Sequence, residues 1–254
     1  MQLIDTLCHL DFEVFADDRQ QVMARAQALG VDHFVVPAVQ QSGWQHLSAL
    51  FQQQDAVHIA LGMHPMFMSQ HEESHIVLLD HALQQQRPVA VGEIGLDFYS
   101  AESDRQAQLQ LFRAQLQLAA KYQLPVILHV RKAHDEVLQC LRDIPVVAGI
   151  VHAFNGSLQQ AGHYIGMNFK LGFGGMLTYS RSTKLRALAQ QLPLDALVLE
   201  TDAPDMTVMQ HRGQRNSPEY LPYCLQALAT VRGQSQAVIA EATSANARQL
   251  LGIS

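Results

Sequence analysis

Pro88-Val-Ala-Val-Gly-Glu-Ile-Gly-Leu-Asp-Phe-Tyr99 is an apolar, β-branched run that meets a carboxylate set between two glycines. A strand buried on both faces, as in a parallel sheet, has no place for an unpaired charge, so Glu93 must be neutralised, paired or bound to a metal. Gly92 and Gly95 permit close backbone approach at that point. On this stretch alone two readings of Glu93 stand: a partner for a buried Arg or Lys, or a ligand in a site at the strand's end.

Working outward, the same rhythm of short apolar run, polar turn and amphipathic segment recurs along the chain. Strands are expected over residues 3–9, 34–39, 57–62, 89–93, 126–130, 148–152, 167–171 and 196–201. Between them lie helical patterns, and three open on capping boxes: Ser42-Gly-Trp-Gln45, Ser103-Asp-Arg-Gln106 and Ser157-Leu-Gln-Gln160. The longest, over 104–122, carries Leu109, Phe112, Leu116 and Ala119 at helical spacing, a core stripe. Strands alternating with helices imply a parallel sheet, and eight units imply closure into a single (β/α)8 TIM-like barrel over residues 1–254. An open doubly wound sheet is the alternative, although no Gly-x-Gly-x-x-Gly follows the first strand.

With 254 residues, 48% apolar and 16% charged, the chain can bury one large core. Its net charge of −6 argues against a broad basic footprint for duplex nucleic acid, so an anionic substrate must be attracted locally. Cys8, Cys140 and Cys224 are scattered and odd in number, which argues against a disulfide framework and for a reducing cytoplasm. No basic leader opens the chain and no apolar run reaches the roughly 18 residues of a membrane span, so no membrane association is expected. Nothing in the sequence points to an obligate protein partner.

Barrel enzymes build their sites at the C-terminal ends of the strands. Here those ends carry His9, Glu93, His129, His152 and Asp202, with His64 just after the third strand. Singly, each has an ordinary explanation: a hydrogen-bonded structural histidine, or for Asp202, before Ala203-Pro204, a turn former. Five metal-ligand types on one ring of strand ends point together to a metal centre.

These residues stand in motifs that resemble those of the TatD family of metal-dependent deoxyribonucleases: Asp5-Thr-Leu-Cys-His-Leu-Asp11, Gly62-Met-His-Pro65, Gly92-Glu-Ile-Gly-Leu-Asp-Phe-Tyr99, Leu128-His-Val-Arg131, His152-Ala-Phe-Asn-Gly156, Glu200-Thr-Asp-Ala-Pro204 and Arg215-Asn-Ser-Pro-Glu-Tyr-Leu221, ending in Asn246-Ala-Arg-Gln-Leu250. The resemblance implies a distorted barrel of the metallo-dependent hydrolase superfamily, with two divalent ions and hydrolysis of phosphodiesters, typically as a 3′ to 5′ exonuclease. It implies that Glu93 bridges the ions, that His129 and His152 complete one site, and that His9 and Asp202 belong to the other. Catalytic roles fall to Glu93 and to Asp202, the latter as ligand and as base for the attacking water. The family opens on a His-x-His pair, whereas this chain has Leu7 at the first position, so the His9 site is short of a ligand and its occupancy is expected to be weaker. Imidazole ligands favour zinc or manganese over magnesium, although substrate phosphates can supply ligands to magnesium in turnover.

His64, Arg131 and His134 are expected on the same rim as substrate contacts. Arg131, two residues past His129, has a second reading as an ion-pair partner of Asp97 or Asp135, and His64 a second reading as a turn histidine. Asp97 is placed to orient a ligand from behind. Phe98, Tyr99 and Phe154 offer stacking surfaces or lid packing, and Arg215 and Asn216 are read as ties for the eighth loop. The expected substrate is DNA, single-stranded or at its 3′ ends. Hydrolysis of another ester-type bond (an ester, a lactone or a mischarged aminoacyl-tRNA) on the same centre is the alternative, and a binding protein with a degraded centre is the third reading.

Overall fold

The computed structural model describes residues 2–253. β1 (Leu3–Asp5), β2 (Val31–Pro37), β3 (Val57–Leu61), β4 (Ala90–Asp97), β5 (Val126–Arg131), β6 (Gly149–Val151), β7 (Phe169–Phe173) and β8 (Leu197–Leu199) form one sheet in sequential order, and every ladder is parallel. Helices α1 (Arg19–Ala28), α2 (Trp44–Phe51), α3 (His75–Gln86), α4 (Arg105–Tyr122), α5 (His134–Asp143), α6 (Leu158–Gly166), α7 (Thr183–Gln191) and α8 (Leu221–Arg232) follow the strands in turn, and α9 (Gln236–Leu251) ends the chain. Among the described residues β8 and β1 make no regular ladder. The ring is closed instead by Thr6 N–H to the Leu199 carbonyl (3.0 Å), Asp202 N–H to that of Leu7 (2.9 Å) and His9 N–H to that of Ala203 (2.7 Å). The expected distorted (β/α)8 barrel is therefore what the chain forms, with its distortion at this seam.

Strand alternation sorts the core into two layers. Ile4, Val35, Ala60, Ala90, Ile127, Ile150 and Val198 point into the bore, where Leu7 joins them and Leu251 and Ile253 close the lower end. Their neighbours Phe34, Val36, Val126, Leu128, Val151, Leu197 and Leu199 point outward to the helices. Each Val, Leu, Ile or Phe among them contributes about 1.5–3 kcal/mol on burial. Two residues above an inner apolar residue, the same alternation must aim the side chain into the barrel mouth.

Several boundaries differ from the sequence expectation, each for a local reason. β1 stops at Asp5 rather than at residue 9, because the Asp5 carboxylate takes the Leu7 N–H (3.3 Å) and the Thr201 N–H (2.9 Å) and draws the chain off the ladder. β4 does not stop at Glu93 but runs on to Asp97: Val91 pairs with Val126 and Ile94 with Leu128, which leaves one residue too many on β4. That bulge turns Glu93 inward, its N–H bonding the Ala38 carbonyl at 3.1 Å. Gly95, at φ 146°, follows it so closely packed that a Cβ would lie 2.0 Å from the His129 carbonyl oxygen. Of the three capping boxes, that of Ser157 and Gln160 forms. Asp104 rather than Ser103 caps α4, and Ser42 lies in a 3₁₀ turn (Gln41–Gly43) that precedes α2.

Candidate metal centre

Regular strand geometry delivers two of the expected ligands. His129 and His152 stand two residues above Ile127 and Ile150 and so enter the mouth beside each other. Glu93 arrives by the bulge, and His9 and Asp202 by the irregular seam. Asp202 has φ 58°, a left-handed conformation that Asp tolerates better than most residues.

The expected ligands converge. Glu93 Oε1 lies 3.2 Å from His129 Nδ1, and Glu93 Oε2 lies 3.6 Å from His9 Nε2. Asp202 spans the two halves, with Oδ1 3.8 Å from His9 Nε2 and Oδ2 3.5 Å from His152 Nε2. Two ligands on one zinc-sized ion, with bonds of about 2.0–2.2 Å, stand roughly 3–3.5 Å apart, so these separations fit a metal with only slight contraction. Buried Nδ1 of His9 has no hydrogen-bond partner, and no Arg or Lys among the described residues pairs with Glu93. The reading of Glu93 as partner to a buried cation is thereby set aside: its partners are histidines.

Each of the two regular-strand histidines has a carboxylate behind it. Asp97 Oδ2 is 3.0 Å from His129 Nε2, as expected for that residue. Glu200 Oε1 is 3.0 Å from His152 Nδ1, an oblique contact rather than an aligned hydrogen bond, and accepts the Ala153 N–H at 2.6 Å. With the far ring nitrogen so engaged, Nδ1 of His129 and Nε2 of His152 are left to face the centre. The sequence motif around Glu200 does not by itself assign it a role. The signal was present: Glu200 stands two residues above Val198, as His152 stands two above Ile150, and is a charge ending an apolar run. Gly172 makes room for it, since a Cβ there would lie 2.1 Å from Glu200 Oε2.

His64 is held in the same cluster. Its Nε2 lies 3.2 Å from Glu93 Oε1, while its Nδ1 accepts the Met66 N–H at 3.1 Å. That second bond occupies the Nδ1 lone pair and so assigns the ring hydrogen to Nε2. His64 is thus a donor that holds Glu93, although its position alone would allow a ligand.

Burial pushes the Glu93 carboxyl up, yet the charges and hydrogen bonds of His64, His129 and His152 outweigh it and hold it well below the usual range. Burial likewise disfavours charge on His129 and His152, but Asp97 and Glu93 raise the first, and Glu200 and Asp202 raise the second well above an ordinary imidazole. His64, where burial prevails over Glu93, is lowered. The cluster as a whole demands positive charge, which divalent ions supply.

A cleft of about 770 Å³ opens over this cluster. Arg131 faces it, 45% exposed, stacked over the Tyr99 ring at 3.6 Å and 4.0 Å from Asp97. His134 is not brought to the cleft. Its ring is buried against Phe154, and its nitrogens engage the Tyr164 hydroxyl (3.2 Å) and Asn155 Oδ1 (3.3 Å), behind Asn155 rather than among the lining of the cleft where a substrate contact was expected. Of the stacking candidates Tyr99 is exposed, whereas Phe98 and Phe154 are buried. Arg215 pairs with Asp18 at 2.6 Å and Asn216 bonds the Thr201 and Asp205 carbonyls, ties for the eighth loop as expected. Leu7 lies in the inner apolar layer and adds no ligand to the His9 half.

A family model described as TatD related DNase matches residues 4–252. An uncharacterized metal-dependent hydrolase of Escherichia coli K12, YjjV, is 38% identical over 256 residues, covering 99% of this chain and 98% of that protein. The crystal structure of YjjV, described as a TatD homologue, superposes with a TM-score of 0.95 over 99% of this chain and 98% of that one. A protein of Erwinia tasmaniensis named 3′-5′ ssDNA/RNA exonuclease TatD is 32% identical over 259 residues, covering 99% of this chain and all of that protein.

Proposed function

The chain belongs to the TatD family of metal-dependent hydrolases, and from that premise we propose that it is a nuclease that removes nucleotides from the 3′ end of single-stranded DNA in the cytoplasm. The observation that carries this reading is the arrangement of Glu93 and Asp202, each of which presents its two oxygens to different histidines. That is the donor set for a pair of divalent ions, zinc or manganese by its imidazole content, with Leu7 leaving the His9 half the weaker. The name of the Erwinia relative supports the nucleic-acid substrate. The three free, buried cysteines agree with a reducing compartment.

Divalent ions bound here supply Lewis acidity toward a phosphodiester oxygen and lower the pKa of water. The chain's own groups do the rest. Asp202, fixed by its N–H bond to Leu7 and by the Thr201–Asp5 contacts, takes the proton of the attacking water. His64 keeps Glu93 from rotating away, and Asp97 and Glu200 fix the rings of His129 and His152. Arg131 offers its guanidinium to a non-bridging phosphate oxygen.

Incubation of metal-reconstituted protein with a 5′-labelled single-stranded oligonucleotide tests the reading: labelled products shortened one nucleotide at a time are expected, abolished by a chelator and restored by zinc or manganese. Turnover confined to simple esters, lactones or aminoacyl-tRNA moves the function to another ester bond. Absence of metal binding after reconstitution leaves only a binding role.

A further inference from the structure

The cleft mouth is divided by charge. Going round the ring, the end of β5 contributes Arg131, the loop after β7 Arg181 and the first turn of α7 Lys184. On the other side, the loops after β1, β3 and β8 contribute Phe12, Met66, Phe67 and Met206, together with Asp205, whose charge disfavours anions there. In a chain of net charge −6 this cationic arc has no general explanation. Arg113, Lys121 and Arg215 are paired with carboxylates elsewhere on the surface. Arg181 and Lys184 are not paired so among the described residues: the Arg181 guanidinium stands 5.4 Å from the Tyr179 ring, and Lys184 Nζ donates to the Asn155 carbonyl at 3.1 Å. That last bond holds the ammonium over the loop that follows β6.

We propose that Arg181 and Lys184 form a second phosphate subsite, so that the substrate is a single strand with at least two consecutive phosphates rather than an isolated phosphodiester. This rests on the reading of the cleft as a phosphodiester site. The phosphate to be cleaved lies at Glu93, His129, His152 and Asp202, and its neighbour in the chain lies on Arg181 and Lys184. The backbone runs over the β5–β7 arc, where the only charged lining residues beyond the centre are cations, and the terminal nucleoside lies against Phe12, Met66 and Phe67. A base presents an apolar face to such an arc, whichever base it is, which makes the site tolerant of sequence.

The test uses the full chain, reconstituted with manganese, and the variants Arg181→Gln, Lys184→Gln and the double. Two readouts are compared: KM and kcat on single-stranded oligonucleotides of increasing length against bis-p-nitrophenyl phosphate, and oligonucleotide binding by fluorescence anisotropy against salt concentration in the presence of chelator. In each single variant KM for oligonucleotides should rise about tenfold with little change in kcat, as for the loss of one hydrogen bond to a charged group. The loss on bis-p-nitrophenyl phosphate should be several-fold smaller, and the slope of log affinity against log salt should fall by about 0.7 per residue. Among the described residues Arg181 donates to no backbone carbonyl, so its variant stays informative if loss of the Lys184 tie loosens the loop. Equal losses on both substrates, or an unchanged salt slope, overturn the subsite. If the wild type cleaves no DNA, the nuclease reading falls while the salt slopes still decide for or against the subsite.

Discussion

Replacing Glu200 by Gln keeps the side chain's shape and removes one charge, and it isolates what the carboxylate behind His152 contributes. In the structure Glu200 is 1% exposed, with Oε1 3.0 Å from His152 Nδ1 and 2.6 Å from the Ala153 nitrogen. A histidine that binds metal through Nε2 is neutral, so the carboxylate acts by holding the Nδ1–H tautomer and the ring's orientation and by making the ring a better donor, rather than as an ion pair. In comparable sites the loss of such a carboxylate lowers metal affinity about 10–100-fold, or about 1.4–2.7 kcal/mol. The amide oxygen of Gln retains the Ala153 N–H, and its nitrogen falls where Oε2 has no partner, so folding of the metal-free protein should lose no more than about 1–2 kcal/mol. Gly172→Ala is the complementary perturbation, since it keeps the charge and drives a methyl to within 2.1 Å of Oε2. Competition of each protein against a fluorescent zinc chelator at fixed pH reads the affinity, and thermal unfolding without metal reads the control. An affinity for Glu200→Gln equal to that of the wild type would refute the argument, leaving Glu200 merely an acceptor for the loop that follows β6.

Leu7→His should raise the metal content per chain and, without metal, lower stability by about 1–3 kcal/mol, because it puts an imidazole into the apolar inner layer; elemental analysis beside thermal unfolding with and without metal checks both parts. Asp5, fully buried, has its carboxyl driven by burial up to about 8 from an ordinary 3.8, against the pull of its bonds from Thr201 and Leu7. Between those values the folded state keeps a proton that the unfolded chain has released, so this group's contribution is complete below 3.8 and is lost as pH rises toward 8, at up to about 1.4 kcal/mol per pH unit. Asp5→Asn should flatten that part of the urea stability profile of the metal-free protein, and an unaltered slope would place the proton elsewhere.

What the sequence made legible follows strand regularity. β5 and β6 are straight, so reading two residues on from Ile127 and Ile150 leads directly to His129 and His152. Glu200 obeys the same parity above Val198, but the Thr-Asp-Ala-Pro turn after it carries a second carboxylate, Asp202, which the seam also brings in. Glu93 was identified by its charge, whereas the bulge that aims it was not: an extra residue in a ladder exists only relative to the partner strand, which local sequence does not contain. The position of His134 was unreadable for a similar reason. Its burial depends on Tyr164 and Asn155, contributed by later segments, and nothing near His134 in sequence announces them.

The seam explains why the loss of a histidine at position 7 leaves the rest of the centre in place. The main chain of Leu7 has two tasks there, giving its N–H to the Asp5 carboxylate and its carbonyl to the Asp202 N–H. Neither task depends on the side chain. Asp202 is held in a left-handed conformation, costing on the order of 1 kcal/mol or more, and persists there because that bond, the Thr201–Asp5 contacts and the Asn216 ties overdetermine it. Leu at position 7 therefore removes a donor from the His9 half and fills the inner layer, while the frame that aims Asp202, His9 and Glu93 stays intact. A centre decaying toward a mere scaffold would have no reason to keep that strained aspartate, or a carboxylate buried behind each of two histidines, since both are costly without positive charge to face. The retained frame argues for a working metal-dependent hydrolase rather than a scaffold.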